Sequence, residues 1–421
     1  NGAFLAFLPL PADGVWRLRA RRGGEEVEHA AAYRVPATGA ADSVVREVFP
    51  APRAGTVTGG ADTLATGSDA IPARPTPGGT YRWFLPRGAR VAVVERRGDQ
   101  YRVQLDPATA AWVSRESVAL DDGAPPAAAP LGAVTVRPAA EWVDVRVSAR
   151  HAPFLVEADS AGLHLTVHGA TPGGAPAAPG DALLTAVLAS AAGPAATRLD
   201  LLLARPVWGY KAFYEADGTL VLRVRRPPAI DPANPLRGIR IVVDPGHPPA
   251  GTIGPTGFTE AEANLAIALP LAELLRQRGA EVHLTRTQNV EVALGERTAL
   301  AVRTDAHLLV SVHNNAFGEG VNPFRGHGTG TYYFHPLSAG LARALQGEIV
   351  RVTGIPDQGA RVSNLALARP TWMPSALTES LFMLIPEQEA ALRDPAFARR
   401  LAEAHARGIE VFLTAVLSPE S

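Results

Sequence analysis

From residue 238 onward, runs suited to a buried strand alternate with runs suited to an amphipathic helix, and few folds accept that order. "IRIVVDP" (239–245), "AEVHLTR" (280–286), "AHLLVSVH" (306–313), "GTGTYYFH" (328–335) and "SALTESLFML" (375–384) are strand-like. Between and after them, "EAEANLAIALPLAELLRQRG" (260–279), "LGERTALAVR" (294–303), "LSAGLARALQGEIVRVTG" (337–354) and "PAFARRLAEAHARGIEVFLTAVL" (395–417) place apolar residues at helical spacing. A strand followed by a helical crossover returns parallel to itself, so the order predicts an α/β domain with a mostly parallel sheet covered by helices. Ligands of such sheets collect beyond the carboxyl ends of the strands. His247 falls just past one strand's end, in "VVDPGHPP", and His313 ends another.

The rest of the chain lacks that alternation. Residues 1–40 predict the end of a β-sandwich-like domain, with an isolated hairpin arm as the alternative. Residues 41–124 combine a loose Gly/Pro/Ser/Thr stretch with "RVAVVERRGDQYRVQL" and "AAWVSRESV", a small barrel that resembles bacterial SH3-like modules. Trp83, Tyr101 and Trp112 there suit either a ligand platform or the core. Residues 125–230 carry five or more strands and no long helical pattern, an all-β domain that resembles AMIN-type modules. His164 and His168 share one face of such a strand, with no third ligand nearby. Pro/Ala-rich segments at 121–130 and 225–237 suit flexible tethers. The C-terminal α/β domain is expected at 231–421.

Composition excludes several classes of function. Of 421 residues, 47% are hydrophobic and 19% charged, which is globular, and a formal charge of −1 offers no field to attract nucleic acid. Lys211 is the only lysine. Without cysteine there is no disulfide, thiolate metal site or cysteine nucleophile. No apolar run is long enough for a transmembrane segment. The opening "NGAFLAFLPLP" has no Met, basic region or cleavage site, and reads as a mature or truncated product.

Catalytic zinc commonly takes two histidines and a glutamate and leaves a fourth position for water. His247 and His313 supply imidazoles, and Glu260 opens the helix thirteen residues after His247. Glu260 and Glu262 equally suit a helix N-terminus through the macrodipole, so residue type alone leaves the third ligand open.

Residues 238–417 resemble the zinc-dependent N-acetylmuramoyl-L-alanine amidases of the Amidase_3 family. The resemblance rests on "IVVDPGH", "GPTGFTEAEANLAIALPLAELLRQRGAEVHLTR", "ERTALA", "LLVSVHNNA" and "MPSALTESLF", in that order and spacing. It implies Zn2+ as cofactor, His247, Glu260 and His313 as its ligands, Glu262 as a capping residue and Glu379 as the catalytic general base. Arg286 and Asn315 match family words and are implied either to orient the site or contact substrate, or to make ordinary loop hydrogen bonds. The expected substrate is peptidoglycan, cut at the amide between N-acetylmuramic acid and L-alanine, and the expected location is the cell envelope, periplasmic or secreted. A non-catalytic wall-binding protein and a zinc peptidase for another wall bond are the competing readings. "SLFML" and "IPEQEAAL" stand where many relatives have "GFLSN". Only "FGEGVNPFRGHG" (317–328) follows the second histidine word, too short for the plugging helix of regulated members, so no protein activator is expected.

Overall fold

A computed structural model describes residues 11–417 except 12, 14, 23, 33–44, 60–69, 80, 160, 177, 319 and 320. "GAFLAFLPL" and the middle of the loose stretch therefore lie outside the described residues. Val15–Arg22 and Glu25–Ala32 pair as an antiparallel hairpin, and among the described residues no third strand joins it.

The next unit is a five-stranded antiparallel sheet whose central strand, Arg90–Arg97, alternates buried and half-exposed side chains. Its neighbour Arg46–Val57 runs into the stretch expected to be loose. Ala54 and Val57 at its end are buried, and pairing with Val118–Asp121 secures a run that Gly and Thr disguise in the sequence. Trp83 and Tyr101 belong to this unit's core and Trp112 is buried, so their area goes to packing.

Residues 134–225 form two four-stranded antiparallel sheets that share one core. Val143, Val145 and Val147 from one sheet and Leu163, Leu165, Leu199 and Leu201 from the other are fully buried. Their inward alternation is what a sandwich requires. His164 and His168 are each tied by Nδ1 to a carboxylate, at 2.6 Å from Asp200 and 2.6 Å from Asp106.

In the C-terminal domain the strands are β1 (Arg240–Pro245), β2 (Glu281–Leu284), β3 (Leu308–Asn315), β4 (Thr329–Tyr333), β5 (Asp357–Val362) and β6 (Ser375–Phe382). The helices are α1 (Glu260–Gln277), α2 (Leu294–Arg303), α3 (Ala339–Thr353), α4 (Pro386–Arg393) and α5 (Pro395–Val416). Sheet order is β2-β1-β3-β6-β4-β5. All neighbouring pairs are parallel except β4 with β6, which is antiparallel. The exception has a covalent cause: no helix among the described residues separates β3 from β4, so the chain turns back instead of crossing over.

One face of the sheet packs on α1, α3 and α5 through Ile241, Ile267, Leu271, Leu345 and Ile409. The other carries a smaller cluster around Val242, Leu309, Trp372 and Leu377. α1 starts with a capping box, Glu262 N–H donating to Thr259 Oγ1 at 3.3 Å and Thr259 N–H to Glu262 Oε2 at 2.9 Å. That assigns Glu262 to the cap and leaves Glu260 at the first helical position. β5 and α4 had no strong sequence signal. Edge strand β5, "DQGARV", has no buried residue, so no apolar alternation marks it.

The segment 225–237 is not a free tether. Leu236 is fully buried in the α/β core and Ile230 packs against it. At its start, buried Arg225 donates to the carbonyls of Asp305 (3.0 Å) and Ala306 (2.6 Å). Tyr210 N–H bonds Thr371 O at 2.7 Å, and Trp208 stacks on Phe412 with ring centroids 5.8 Å apart. The sandwich is docked on the α/β domain.

Candidate metal centre

The turn after β1 is built to present His247. Its φ of 57° is left-handed, which a non-glycine residue adopts only when the surroundings enforce it. They do so from below. Asp244 is fully buried and accepts hydrogen bonds from Ser311 Oγ (2.6 Å), Thr285 Oγ1 (2.5 Å) and Arg297 Nη1 (2.7 Å). Arg297 also bonds the carbonyls of Pro245 (2.8 Å), His247 (3.2 Å), Pro248 (2.7 Å) and Val292 (3.0 Å). Arg286 clamps the other side, bonding the carbonyls of Pro245 (2.9 Å), Gly246 (2.9 Å), Ala261 (2.6 Å) and Gln288 (3.0 Å). Burial holds its guanidinium down at about 10. Four hydrogen bonds thus tie Arg286 to backbone carbonyls around the turn.

His313 comes from β3, and Gly246 makes room for it. A Cβ built on Gly246 would lie 2.2 Å from His313 Nε2. Glu260 projects from the first turn of α1 between the two rings. Its Oε1 lies 3.0 Å from His313 Nδ1 and 3.3 Å from His247 Nε2. The imidazoles meet edge to face, centroids 4.9 Å apart. Among the described residues, His247, Glu260 and His313 are the one group of three or more such side chains able to hold a metal ion, with their donor atoms within 4.8 Å of one another.

Electrostatics follow from this packing. Burial opposes ionisation of Glu260, yet hydrogen bonds from His247 and His313, aided by their charges, hold its carboxyl well below the ordinary range. The bond to Glu260 raises His247. His247 Nδ1 donates to Pro249 O at 3.1 Å, which fixes the ring and leaves Nε2 for the centre. Two imidazoles and a carboxylate are a fitting donor set for zinc.

Glu379 stands in register with His313 on the adjacent strand. The strand is internal to the sheet rather than an edge. Burial, then the charge of Glu260, pushes its carboxyl well above the ordinary range, and its buried Oε2 has no hydrogen-bond partner among the described residues. An orphaned carboxyl oxygen beside a polar centre awaits a partner. Asn315 uses Oδ1 to accept from Ala316 N–H at 2.7 Å, an ordinary turn bond.

Sequence reasoning missed three supporting residues. Asn264 donates to Gly246 O (3.1 Å) and to Glu260 Oε1 (3.4 Å), and it accepts from Asn314 Nδ2 (3.0 Å). Its signal was available, because four residues after Glu260 it shares that face of the helix. Glu389, fully buried on α4, accepts from Thr256 N–H (3.0 Å) and Oγ1 (2.6 Å), fixing the loop before α1. Arg297 lay inside a quoted word with nothing to mark it as a clamp. The remaining histidines stay apart from the centre: His283 pairs with Glu281 (2.9 Å) and His307 accepts from Arg240 N–H (3.1 Å). His335 meets Tyr210 edge to face. His327 lies against Phe382, the last residue of β6, at 6.2 Å between centroids.

Residues 241–411 match the family model described as N-acetylmuramoyl-L-alanine amidase. Over 186 residues the chain is 31% identical to a probable cell wall amidase, LytH, of Staphylococcus aureus, covering 43% of this chain and 61% of that protein. The chain thus spans 61% of the length of the curated relatives it matches. Among solved structures it is similar to the catalytic domain of CwlV, an N-acetylmuramoyl-L-alanine amidase from Bacillus (Paenibacillus) polymyxa var. colistinus (32% identity, 41% of this chain, 96% of that chain, TM-score 0.38). It is also similar to the amidase AmiC2 of Nostoc punctiforme (31% identity, 41% of this chain, 95% of that chain, TM-score 0.39). Over residues 241–411 this chain is thus similar to the N-acetylmuramoyl-L-alanine amidase family.

Proposed function

We propose that this chain acts in the cell envelope, periplasmic or secreted, and hydrolyses the peptidoglycan amide between N-acetylmuramic acid and L-alanine. The observation that carries the reading is the convergence of His247, Glu260 and His313 with Glu379 in register beside them.

His247, Glu260 and His313 would hold a zinc ion, which when bound supplies a Lewis acid that lowers the pKa of water and polarises the amide carbonyl. Glu379 takes the proton of the attacking water at its otherwise unpartnered Oε2. It then delivers that proton to the departing nitrogen as the carbon–nitrogen bond breaks. A free carboxylate remains on the sugar's lactyl group and a free amine on the alanine. A carboxyl whose burial favours the protonated form suits the second half of this cycle. Asn264, Arg286 and Arg297 keep the donor atoms aimed. Among the described residues of the β3–β4 connection there is no helix to close the centre, so the full chain should turn over without a protein activator.

Digestion of purified peptidoglycan followed by product analysis tests the reading. Free N-terminal L-alanine paired with muramic acid is expected, and release at any other bond refutes it. Glu379→Gln should retain metal while losing about 10²–10⁴-fold in turnover. Metal loss in that variant would make Glu379 a ligand instead.

A further inference from the structure

A cavity of about 550 Å³ lies where three units of the chain meet, away from the metal centre. Tyr81 and Arg82 come from the five-stranded unit, Phe154 and Tyr210 from the sandwich, and Trp372 from the loop leading into β6. This is the N-terminal approach to β6, whereas Glu379 lies four residues inside the strand, roughly 13 Å along it at the usual rise. The size and aromatic lining are those of a small-molecule site with a few placed polar groups.

Those polar groups are cationic. Arg82, Lys211 and Arg369 line the cavity with Glu157 as the single carboxylate, and Arg82 lies 3.5 Å from it. Lys211 is the only lysine of the sequence. Its ammonium sits over the Trp372 ring, 4.1 Å from the centroid. No carboxylate lies within ion-pair distance of it among the described residues. Asp305, the nearby acid, is engaged by Arg225 (2.9 Å) and Arg240 (2.6 Å). A half-buried ammonium with a ring beneath it and space above is placed to receive an anion.

We infer that this junction is a second binding site, for an N-acylated amino sugar bearing a free carboxylate. The sugar's flat apolar face and acyl methyl group would lie against the aromatic walls, and its carboxylate against Lys211. The inference rests on the proposed amidase activity, because hydrolysis of that amide is what uncovers a carboxylate on the sugar. The site would therefore hold the sugar side of the product and not the intact amide.

The single lysine supplies the reporter. In the full chain carrying 13C-methylated amines, titration with N-acetylmuramic acid should shift the Lys211 signal saturably. N-acetylglucosamine, which lacks the lactyl carboxylate, should not. Loss of one charge-assisted contact in Lys211→Met should weaken binding about ten- to hundredfold, measured by calorimetry, and Lys211→Arg should retain it. Unchanged melting curves confirm that both variants fold. Equal response to the neutral sugar, or unaltered affinity in Lys211→Met, overturns the inference. A response to a short peptide carboxylate but not to the acidic sugar overturns it too, by assigning the site to the stem peptide. Wall digestion by the same preparation separates the two claims. An active enzyme with a silent Lys211 signal loses only this site, and a saturable signal without amide cleavage loses only the amidase reading.

Discussion

Arg297→Met removes the clamp beneath the His247 turn while keeping most of the side-chain volume. Arg297 and Asp244 are both essentially excluded from solvent, and their pair spans 2.7 Å. Breaking such a pair from one side strands the other charge, at a cost of roughly 3–5 kcal/mol. Four backbone carbonyls also lose a donor, but water at the open turn can replace some of these, so the ion pair sets the scale. Asp244 keeps Ser311 and Thr285, which argues for the lower end. At about 3 kcal/mol the unfolding transition of the α/β domain should fall by several degrees. His247 would also lose the restraint on its backbone, and a change of this kind typically weakens metal affinity about 10–100-fold. Calorimetry reads the first effect, and competition with a chromophoric chelator reads the second. Asp244→Asn in the same background should recover part of the stability, since the stranded charge is then gone. A variant that melts within a degree of the parent and binds metal equally well would show that Arg297 merely fills space.

Two further perturbations test the site and its support. Gly246→Ala drives a methyl group into the His313 ring, so metal content should collapse while circular dichroism stays near the parent's; full metal occupancy would refute the packing argument. His405, fully buried on α5, donates through Nδ1 to Leu401 O (2.7 Å) and accepts from Thr378 Oγ1 at Nε2 (2.9 Å), and burial lowers its pKa from 6.5 to about 4. Because the folded value lies below the unfolded one, its contribution is complete above pH 6.5 and lost as pH falls toward 4, up to about 3 kcal/mol. Stability measured against pH should therefore be flatter over that window in His405→Gln, and an unchanged slope would place the titration elsewhere.

Local chain geometry drew attention to two of the four candidate residues, His247 and His313 at strand ends, whereas Glu260 and Glu379 were named by the family resemblance. Glu260 could not be told from Glu262 by residue type alone; the capping box separates them, and it needs Thr259 in place. What stayed hidden depends on contacts between distant segments. Nothing around Arg225 or Arg297 marks either as buried, since an arginine on an amphipathic element is ordinarily solvated. Glu389 sits 133 residues from Thr256, the group it holds. β4 was legible as a strand in "GTGTYYFH", but its antiparallel direction depends on pairing with the distant β6. The polar edge strand β5 was illegible for the reverse reason, because it buries nothing to impose a pattern.

The stacking of Trp208 on Phe412 sets where the protein may be cut. Trp208 is 4% exposed and belongs to the core of the α/β domain, although it lies some thirty positions before the first residue that the family match covers. A fragment begun at residue 238 would keep every candidate ligand and still lose this ring, together with Leu236 and the backbone bond from Tyr210 to Thr371. The face of α5 around Phe412 would then lie open to water and to other copies of the fragment, a liability for solubility that no change at the metal centre repairs. The folding unit begins upstream of the catalytic motif, and the shortest tractable piece of this chain has to start before Val207.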